Sequence, residues 1–281
     1  MLKKLIDLIL YSNLWIAFCA TSMCWQTQWM LSGSFTWAPL AAFILFATLL
    51  LYALHRLVGL SRAEGFKDKG RYFVIEHFQL HIGLYAVLAG LAALWYAWQL
   101  SWQVWWWMLP GMVLSAGYVL PIFGKGKRLR DFHYIKIFLI ALAWSWITVV
   151  VPAVDLGLHR NIPLAFLFLE RVCFVFAITL PFDIRDLEID RANGVMTLPA
   201  MLGVVRTRQL AYLLLGLSAA LGWMAFDLNA YNTGSFTGLI ISLLISAVVI
   251  GGTRAGRHDY FFTGLVDGLM VVQFLLVWLL S

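Results

Sequence analysis

Long apolar stretches separated by short charged segments run through almost the whole sequence. Nine of them are found, at about 10–30, 36–57, 78–99, 104–122, 134–153, 161–182, 207–227, 235–251 and 258–280. A helix needs roughly 20 apolar residues to cross the hydrocarbon core of a bilayer. The stretches lack the sustained polar–apolar alternation of barrel strands. We therefore expect an all-α, polytopic membrane protein with about nine transmembrane helices.

The composition excludes an ordinary soluble protein. The chain is 62% hydrophobic and 12% charged, whereas soluble globular domains are roughly half apolar and about a quarter charged. The connections between the apolar stretches are too short for a separate soluble domain, so we expect residues 1–281 to form a single transmembrane helical domain. We attribute the net charge of +6 to loops near anionic lipid, and we expect no nucleic-acid partner.

The basic residues predict the orientation of the chain in the membrane. All but two of the 20 lysines and arginines precede the first apolar stretch or lie at every second connection; Arg160 and Arg171 are the exceptions. Positively charged connections stay on the cytoplasmic side. We therefore expect a multi-pass protein of the inner (cytoplasmic) membrane, with its N-terminus in the cytoplasm.

The segment after the sixth apolar stretch carries most of the candidate chemistry. Asp183, Asp186 and Asp190 are spaced i, i+3 and i+7, which places three carboxylates on one helical face. Such a cluster is typical of a Mg²⁺ site, since Mg²⁺ is bound by carboxylates, waters and substrate phosphates. Arg185 and Arg191 lie in the same segment and could bind phosphate oxygens. The alternative is a solvated, charge-rich loop without a ligand.

Residues 181–203 read PFDIRDLEIDRANGVMTLPAMLG, and this stretch resembles the second Asp-rich motif of the UbiA-type intramembrane prenyltransferases. That motif, D-x-x-D-x-x-x-D-R-x-x-G-x-x-T-L-P-x-x-L-G, follows the sixth of nine helices in the family, and every fixed position is filled here. We expect Pro181 to break the sixth helix just before the motif. Residues 118–128, which begin with Tyr118 and end with Lys127 and Arg128, resemble the family's tyrosine and basic run after helix 4.

The resemblance implies an activity and its participants. A polyprenyl diphosphate would be held through Mg²⁺ and lose its diphosphate, and a lipophilic acceptor, aromatic or other, would capture the allylic cation inside the lipid bilayer. By this resemblance Asp183, Asp186 and Asp190 are the expected catalytic and metal-binding residues. The expected diphosphate-binding residues are Arg56, Tyr118, Lys127, Arg128, Arg185 and Arg191.

The sequence departs from the family pattern after the second apolar stretch. The family has a first Asp-rich motif there, whereas residues 51–62 read LYALHRLVGLSR and contain no carboxylate. In one hypothesis, His55 and Arg56 replace the first metal ion, because a guanidinium offers a permanent positive fork to the diphosphate. In the other, the chain no longer ionises its ligand and is a non-catalytic isoprenoid- or lipid-binding member of the fold, or a partner subunit.

Two ionisable residues lie in the middle of the sixth apolar stretch. Glu170 and Arg171 are costly in a membrane, where such residues are usually functional or paired. They are possible site residues, marking an acceptor pocket or a proton path, or else they form a structural ion pair between helices. A transporter is a third hypothesis, but we find no repeat of one half of the sequence in the other.

Overall fold

The computed structural model describes residues 9–10, 12–35, 37–60, 79–120, 129, 135–160, 162–192 and 194–281. Within these residues the structure has helices and no strand, which confirms the all-α prediction. The helices are α1 Leu14–Ser32, α2 Pro39–Leu60, α3 Gln79–Ala97, α4 Trp102–Val119, α5 Ile135–Asp155, α6 Pro163–Arg185, α7 Leu187–Ala192, α8 Leu198–Asp227, α9 Thr233–Gly251 and α10 Phe261–Leu279. A π-helical turn, Trp146–Val150, interrupts α5, and another, Phe261–Val266, opens α10.

Most of these helices have the dimensions of membrane spans. Across the described ranges, seven helices are long and apolar enough to cross a bilayer by length and composition, namely α2, α3, α5, α6, α8, α9 and α10. The two other long helices are α1, which buries polar residues such as Gln26 and Gln28, and α4, which is rich in tryptophan. A multi-pass protein is therefore supported, while the count of nine spans stays a prediction.

The lipid-facing surface is clearest on α3. Leu80, Leu84, Val87, Leu91 and Leu94 are each more than 60% exposed on this helix. Apolar side chains at this density would be unfavourable in water and are favourable against lipid tails. The opposite face of α3 packs on α2 through small buried residues.

Helix α8 begins earlier than the sequence predicted. We expected a helix from about residue 207, and it starts at Leu198, after Thr197 in an extended conformation and with Pro199 in the first turn. Gly203 interrupts it with φ 77° and ψ 162°, a backbone conformation that L side chains rarely adopt. The expected boundary was wrong because the apolar periodicity is weak before this interruption, whereas proline suits the first turn of a helix.

Helix α6 runs through Pro181, so the expected break at this residue was wrong. The helix continues to Arg185. Proline in a helix interior removes one backbone hydrogen bond and crowds the preceding turn, and here this does not end the helix. Helix α6 packs mainly against α8 and α5. Its buried side chains, including Phe174, Ile178 and Leu180, contribute to the largest hydrophobic cluster. The acidic motif is therefore carried on a well-packed helix.

Candidate functional site

The acidic motif forms a nearly continuous helical path at the end of α6. Asp183 lies in the last turn of α6, Asp186 follows its last residue, and Asp190 lies in α7. The Asp186 N–H donates to the Phe182 carbonyl at 2.9 Å, and the Asp190 N–H donates to the Asp186 carbonyl at 2.8 Å. These bonds bridge the junction between α6 and α7. The predicted spacing therefore holds across a helix boundary.

A lysine from α5 joins two of the three carboxylates. The Nζ atom of Lys136 lies 2.7 Å from Oδ1 of Asp183 and 3.2 Å from Oδ2 of Asp190. The three side chains are 10%, 4% and 11% exposed, so their charges are largely withdrawn from water. The 2.7 Å contact to Asp183 has the length of a strong charge-assisted hydrogen bond. Lys136 was absent from the predicted site residues, since a lysine at the cytoplasmic end of a span is also what the positive-inside rule predicts.

The third carboxylate is bound by an arginine of its own motif. Nε and Nη2 of Arg185 donate to the two carboxylate oxygens of Asp186 at 2.9 and 3.0 Å. Nη1 of Arg185 donates to Asp259, just before α10, at 2.9 Å. The guanidinium also lies over the rings of Phe182 and Phe262. Arg185, expected to bind diphosphate, is therefore engaged by carboxylates and aromatic rings in this structure.

Asp190 lies in a strongly charged and largely buried environment. Burial raises the pKa of the Asp190 carboxyl above its usual range. The nearby Lys136 ammonium acts in the opposite direction, and the neighbouring carboxylates of Asp186 and Asp183 raise the pKa further. The three aspartates are thus close enough to repel one another, as their spacing predicted, and Lys136 offsets part of this repulsion.

The donor set does not fit the expected Mg²⁺ as it is arranged. Among the residues that the structure describes, no group of three or more His, Cys, Asp or Glu side chains is placed to hold a metal ion. Asp183 and Asp190 form ion pairs with the ammonium of Lys136, and Asp186 forms one with the guanidinium of Arg185. In the sequence, residues 51–62 supply no carboxylate for a second metal site. The metal-binding role of the three aspartates therefore stays a prediction.

A cavity of about 100 Å³ lies between α2, α4 and α5. Tyr52, His55, Ser115 and Tyr118 give it a polar part, and leucine, isoleucine and tryptophan side chains line the rest. The His55 and Tyr118 rings are stacked with centroids 5.9 Å apart. The structure thus brings together two of the predicted site residues that are far apart in the sequence.

Helix α5 carries both a wall of the cavity and the lysine that contacts the acidic motif. Ile140 lines the cavity and follows Lys136 by four residues, so both side chains lie on the same face of the helix. The apolar space and the charged cluster are therefore neighbours along one helix face.

The other predicted diphosphate ligands lie in several places. Arg56 on α2 is half-buried, and its Nη2 donates to the Leu10 carbonyl at 3.3 Å. Arg191 on α7 is exposed. Lys127 and Arg128 lie outside the described residues. The structure therefore locates only some of the predicted diphosphate-binding residues, and their role in binding stays a prediction.

Glu170 and Arg171 belong to a separate buried cluster. Glu170 accepts hydrogen bonds from Ser218 Oγ at 3.1 Å and from the Tyr231 hydroxyl at 3.4 Å. Nη1 of Arg171 donates to the Met23 carbonyl at 3.1 Å and to Thr148 Oγ1 at 3.4 Å.

This second cluster is remote from the acidic motif. Thirteen residues separate Glu170 from Asp183 along α6, or roughly 20 Å at the rise of an α-helix. The structure therefore does not bring these two possible site residues to the aspartates.

Comparison with known proteins adds a family match and several structural likenesses. The sequence matches the UbiA prenyltransferase family over residues 79–279. No curated protein matches the chain.

The solved structures that resemble it include a UbiA homologue from Archaeoglobus fulgidus bound to GPP and Mg²⁺. That protein has a TM-score of 0.63 and 14% identity, with 95% of this chain and 99% of the other covered. The same homologue has also been solved with Cd²⁺.

Two further structures show the same fold. A digeranylgeranylglyceryl phosphate synthase has a TM-score of 0.62 and 13% identity, with 99% of this chain and 98% of the other covered. The apo form of a UbiA homologue from Aeropyrum pernix K1 has a TM-score of 0.62 and 13% identity, with 95% and 94% covered.

Proposed function

The chain belongs to the UbiA prenyltransferase family, and from this premise we propose that it binds a polyprenyl diphosphate and transfers the isoprenoid to a lipophilic acceptor. The observation that carries the proposal is the position of the acidic motif next to an apolar cavity with a polar part. A prenyl diphosphate has the same division, with a charged head and an apolar tail.

The orientation of the ligand follows from this division. The diphosphate lies at the charged end of α6, on the side that we propose is cytoplasmic, and the isoprenoid extends into the bundle among apolar side chains. The basic residues expected to meet the diphosphate are Arg56, Lys127, Arg128 and Arg191. Each positive charge stabilises the oxygens on which negative charge increases as the diphosphate leaves.

The reaction itself needs little covalent chemistry from the protein. The bond between the terminal prenyl carbon and the diphosphate oxygen breaks, and its electron pair leaves with the diphosphate. The allylic cation is attacked by an electron pair of the acceptor, which then loses a proton. The rings of Tyr52, Tyr118 and Trp144 line the cavity, and aromatic faces stabilise a nearby cation.

Mg²⁺ accompanies the prenyl diphosphate in the Archaeoglobus fulgidus homologue. For this chain Mg²⁺ stays a prediction, because its carboxylates already hold cationic side chains. The steps above require only the binding, orienting and shielding that the chain's own residues supply.

A second candidate function is a non-catalytic isoprenoid- or lipid-binding member of the fold, or a partner subunit. The missing first acidic motif favours it, since ionisation of the ligand depends on neutralising the leaving group. Binding of a prenyl diphosphate without release of diphosphate, in the presence of lipid extracts as a source of acceptors, would support this second candidate over the first.

The test of the proposal is binding of geranylgeranyl diphosphate to the detergent-purified protein. Ala143 is buried and lines the cavity, and its sequence neighbour Leu142 is exposed on the lipid-facing side of α5. We expect Ala143→Trp to weaken binding by about tenfold or more, because the indole fills the space of the prenyl chain. Leu142→Trp is the matched control and should bind as the wild type does.

A second variant, substituted in the opposite wall of the cavity, keeps the test valid if Ala143→Trp does not fold. Ser115→Phe fills the same cavity from α4 and should weaken binding similarly. Wild-type affinity in both cavity variants would refute the proposed position of the ligand. Absence of geranylgeranyl diphosphate binding in the wild type, with farnesyl diphosphate also failing to bind, would refute the proposed function.

A further inference from the structure

We infer that Lys136 takes the place of a metal ion between Asp183 and Asp190, so that this chain binds a prenyl diphosphate without Mg²⁺. The inference rests on the proposed function for the identity of the ligand. Its basis is a disagreement between the family, whose acidic motif implies a metal, and the contacts of the motif in this structure.

The ammonium is positioned where a bridging cation would have to lie. Its Nζ atom is 2.7 Å from Asp183 and 3.2 Å from Asp190. Mg²⁺ needs oxygen ligands at about 2.0–2.1 Å in near-octahedral geometry. A divalent ion shared by the same two carboxylates would overlap the ammonium. Lys136 and a bridging metal therefore exclude each other.

The remaining carboxylate of the motif does not complete a metal site elsewhere. Both oxygens of Asp186 accept hydrogen bonds from Arg185, and the same guanidinium is held by Asp259. Bidentate guanidinium–carboxylate pairs are geometrically specific and strong. A metal ion would have to break this pair as well as the lysine bridge to collect three carboxylates.

Because Lys136 is attached to the protein backbone, its ammonium competes with dissolved Mg²⁺ for the two carboxylates at a high effective concentration. Lys136 is in the first turn of α5, and its neighbour Ile137 is 2% exposed in the core, so the backbone that carries the ammonium is fixed. A tethered group competes at an effective concentration of about millimolar or higher. Its side chain is also largely buried, which strengthens its attraction to the two carboxylates.

The sequence of α2 agrees with a loss of metal binding. Where the family pattern has its first acidic motif, this chain has His55 and Arg56. Arg56 contributes a permanent positive charge from α2. At the first acidic motif of the family pattern, Arg56 stands where the carboxylates would be. At the second motif, Lys136 takes the position of the metal ion between the carboxylates.

The experiment measures geranylgeranyl diphosphate affinity in EDTA and in Mg²⁺, and Mn²⁺ binding by electron paramagnetic resonance without diphosphate. For the wild type we expect the same affinity in both solutions, and no Mn²⁺ bound at micromolar concentrations. For Lys136→Met we expect Mn²⁺ binding, together with an affinity for the diphosphate that falls by about tenfold in EDTA and returns in Mg²⁺.

Arg254→Met is the matched control, because it also removes one positive charge from a described basic residue but from an exposed position. It should behave as the wild type in both measurements. If Lys136→Met does not fold, the wild-type measurements still decide the question. An affinity of the wild type that depends on Mg²⁺ by about tenfold, or micromolar Mn²⁺ binding to the wild type, would overturn the inference.

The two measurements separate this inference from the proposed function. If no variant binds the diphosphate, the proposed function fails, and the Mn²⁺ titration still decides between lysine and metal. If the diphosphate binds but needs Mg²⁺ in the wild type, the proposed function stands and the role of Lys136 is refuted.

Discussion

Helix α6 carries ionisable residues in two places, and the two places are built differently. At its C-terminal end, Asp183 contacts Lys136, and Arg185 contacts carboxylates of its own motif and of the segment before α10. In its middle, the hydrogen bonds of Glu170 and Arg171 go to hydroxyls and a backbone carbonyl. In the first cluster the partners carry the opposite charge, whereas in the second the hydrogen-bond partners are neutral groups.

This difference predicts what each cluster can tolerate. A cluster of opposite charges near the helix end can exchange one cation for another, since each carboxylate needs only some positive partner. In the middle of α6 both residues are buried, and each lies beside the opposite charge of its sequence neighbour. We therefore expect the cluster at the end of α6 to accept a different cation and to take part in ligand binding. We expect the cluster in the middle of α6 to stabilise the fold.

The largest effect should come from breaking the middle cluster. Arg171→Met leaves the Glu170 carboxylate buried without a cation, which costs about 3–5 kcal/mol for a buried charge that loses its partner. Denaturant unfolding of the detergent-purified protein measures the loss. Adding Glu170→Gln to Arg171→Met should restore part of it, because the amide still accepts from Ser218 and needs no cation. An Arg171→Met protein as stable as the wild type would contradict the structural role of this cluster.

A smaller loss is expected at the end of α6, and it should be reversible. Lys136→Met leaves Asp183 and Asp190 facing each other, which we expect to destabilise the fold by about 1–3 kcal/mol. Millimolar Mg²⁺ should restore the thermal midpoint of this variant, while Arg171→Met gains nothing from the same addition. Equal responses of the two variants to Mg²⁺ would remove the distinction between the clusters.

The smallest effect should come from the outer partner of Arg185. In Asp259→Asn the guanidinium keeps both hydrogen bonds to Asp186, so the loss should be about 0–1 kcal/mol, as for other partly exposed ion pairs. Thermal unfolding at low and high salt measures it, and the difference from the wild type should shrink at high salt. A loss as large as that of Lys136→Met would mean that Asp259 holds the motif in place.

Much of the fold could be predicted from the sequence because apolar runs of about 20 residues without polar–apolar alternation cross a membrane as helices. Seven of the predicted spans are recovered as helices of suitable length in the described residues, and the acidic motif is found at the end of α6. Local features were harder to predict. The continuation of α6 past Pro181 depends on the packing of the whole helix, which outweighs local preference.

The pairing of charges could not be predicted from the sequence. Lys136 is separated from Asp190 by 54 residues and Arg185 from Asp259 by 74. Neither pair has a periodicity or a spacing that would indicate it. From the sequence we expect Lys136 and Arg185 among the basic residues on the cytoplasmic side, and that expectation gives no information about their partners. The sequence therefore predicts the three aspartates and Arg185 as site residues but not Lys136, and the role of these residues stays a prediction.

The order in which the chain is synthesised gives the contacts of Arg185 a further consequence. Proteins are made from the N-terminus at about 5–20 residues per second, so Lys136 has left the ribosome before Asp183 and Asp190 appear. Asp259, the second partner of Arg185, is made only with the last helix. The contacts of Lys136 with Asp183 and Asp190 can thus form during insertion, whereas the contact of Arg185 with Asp259 can form only after residue 259 has been made. A chain that ended before residue 259 would leave the Arg185 guanidinium with the Asp186 carboxylate and without that of Asp259.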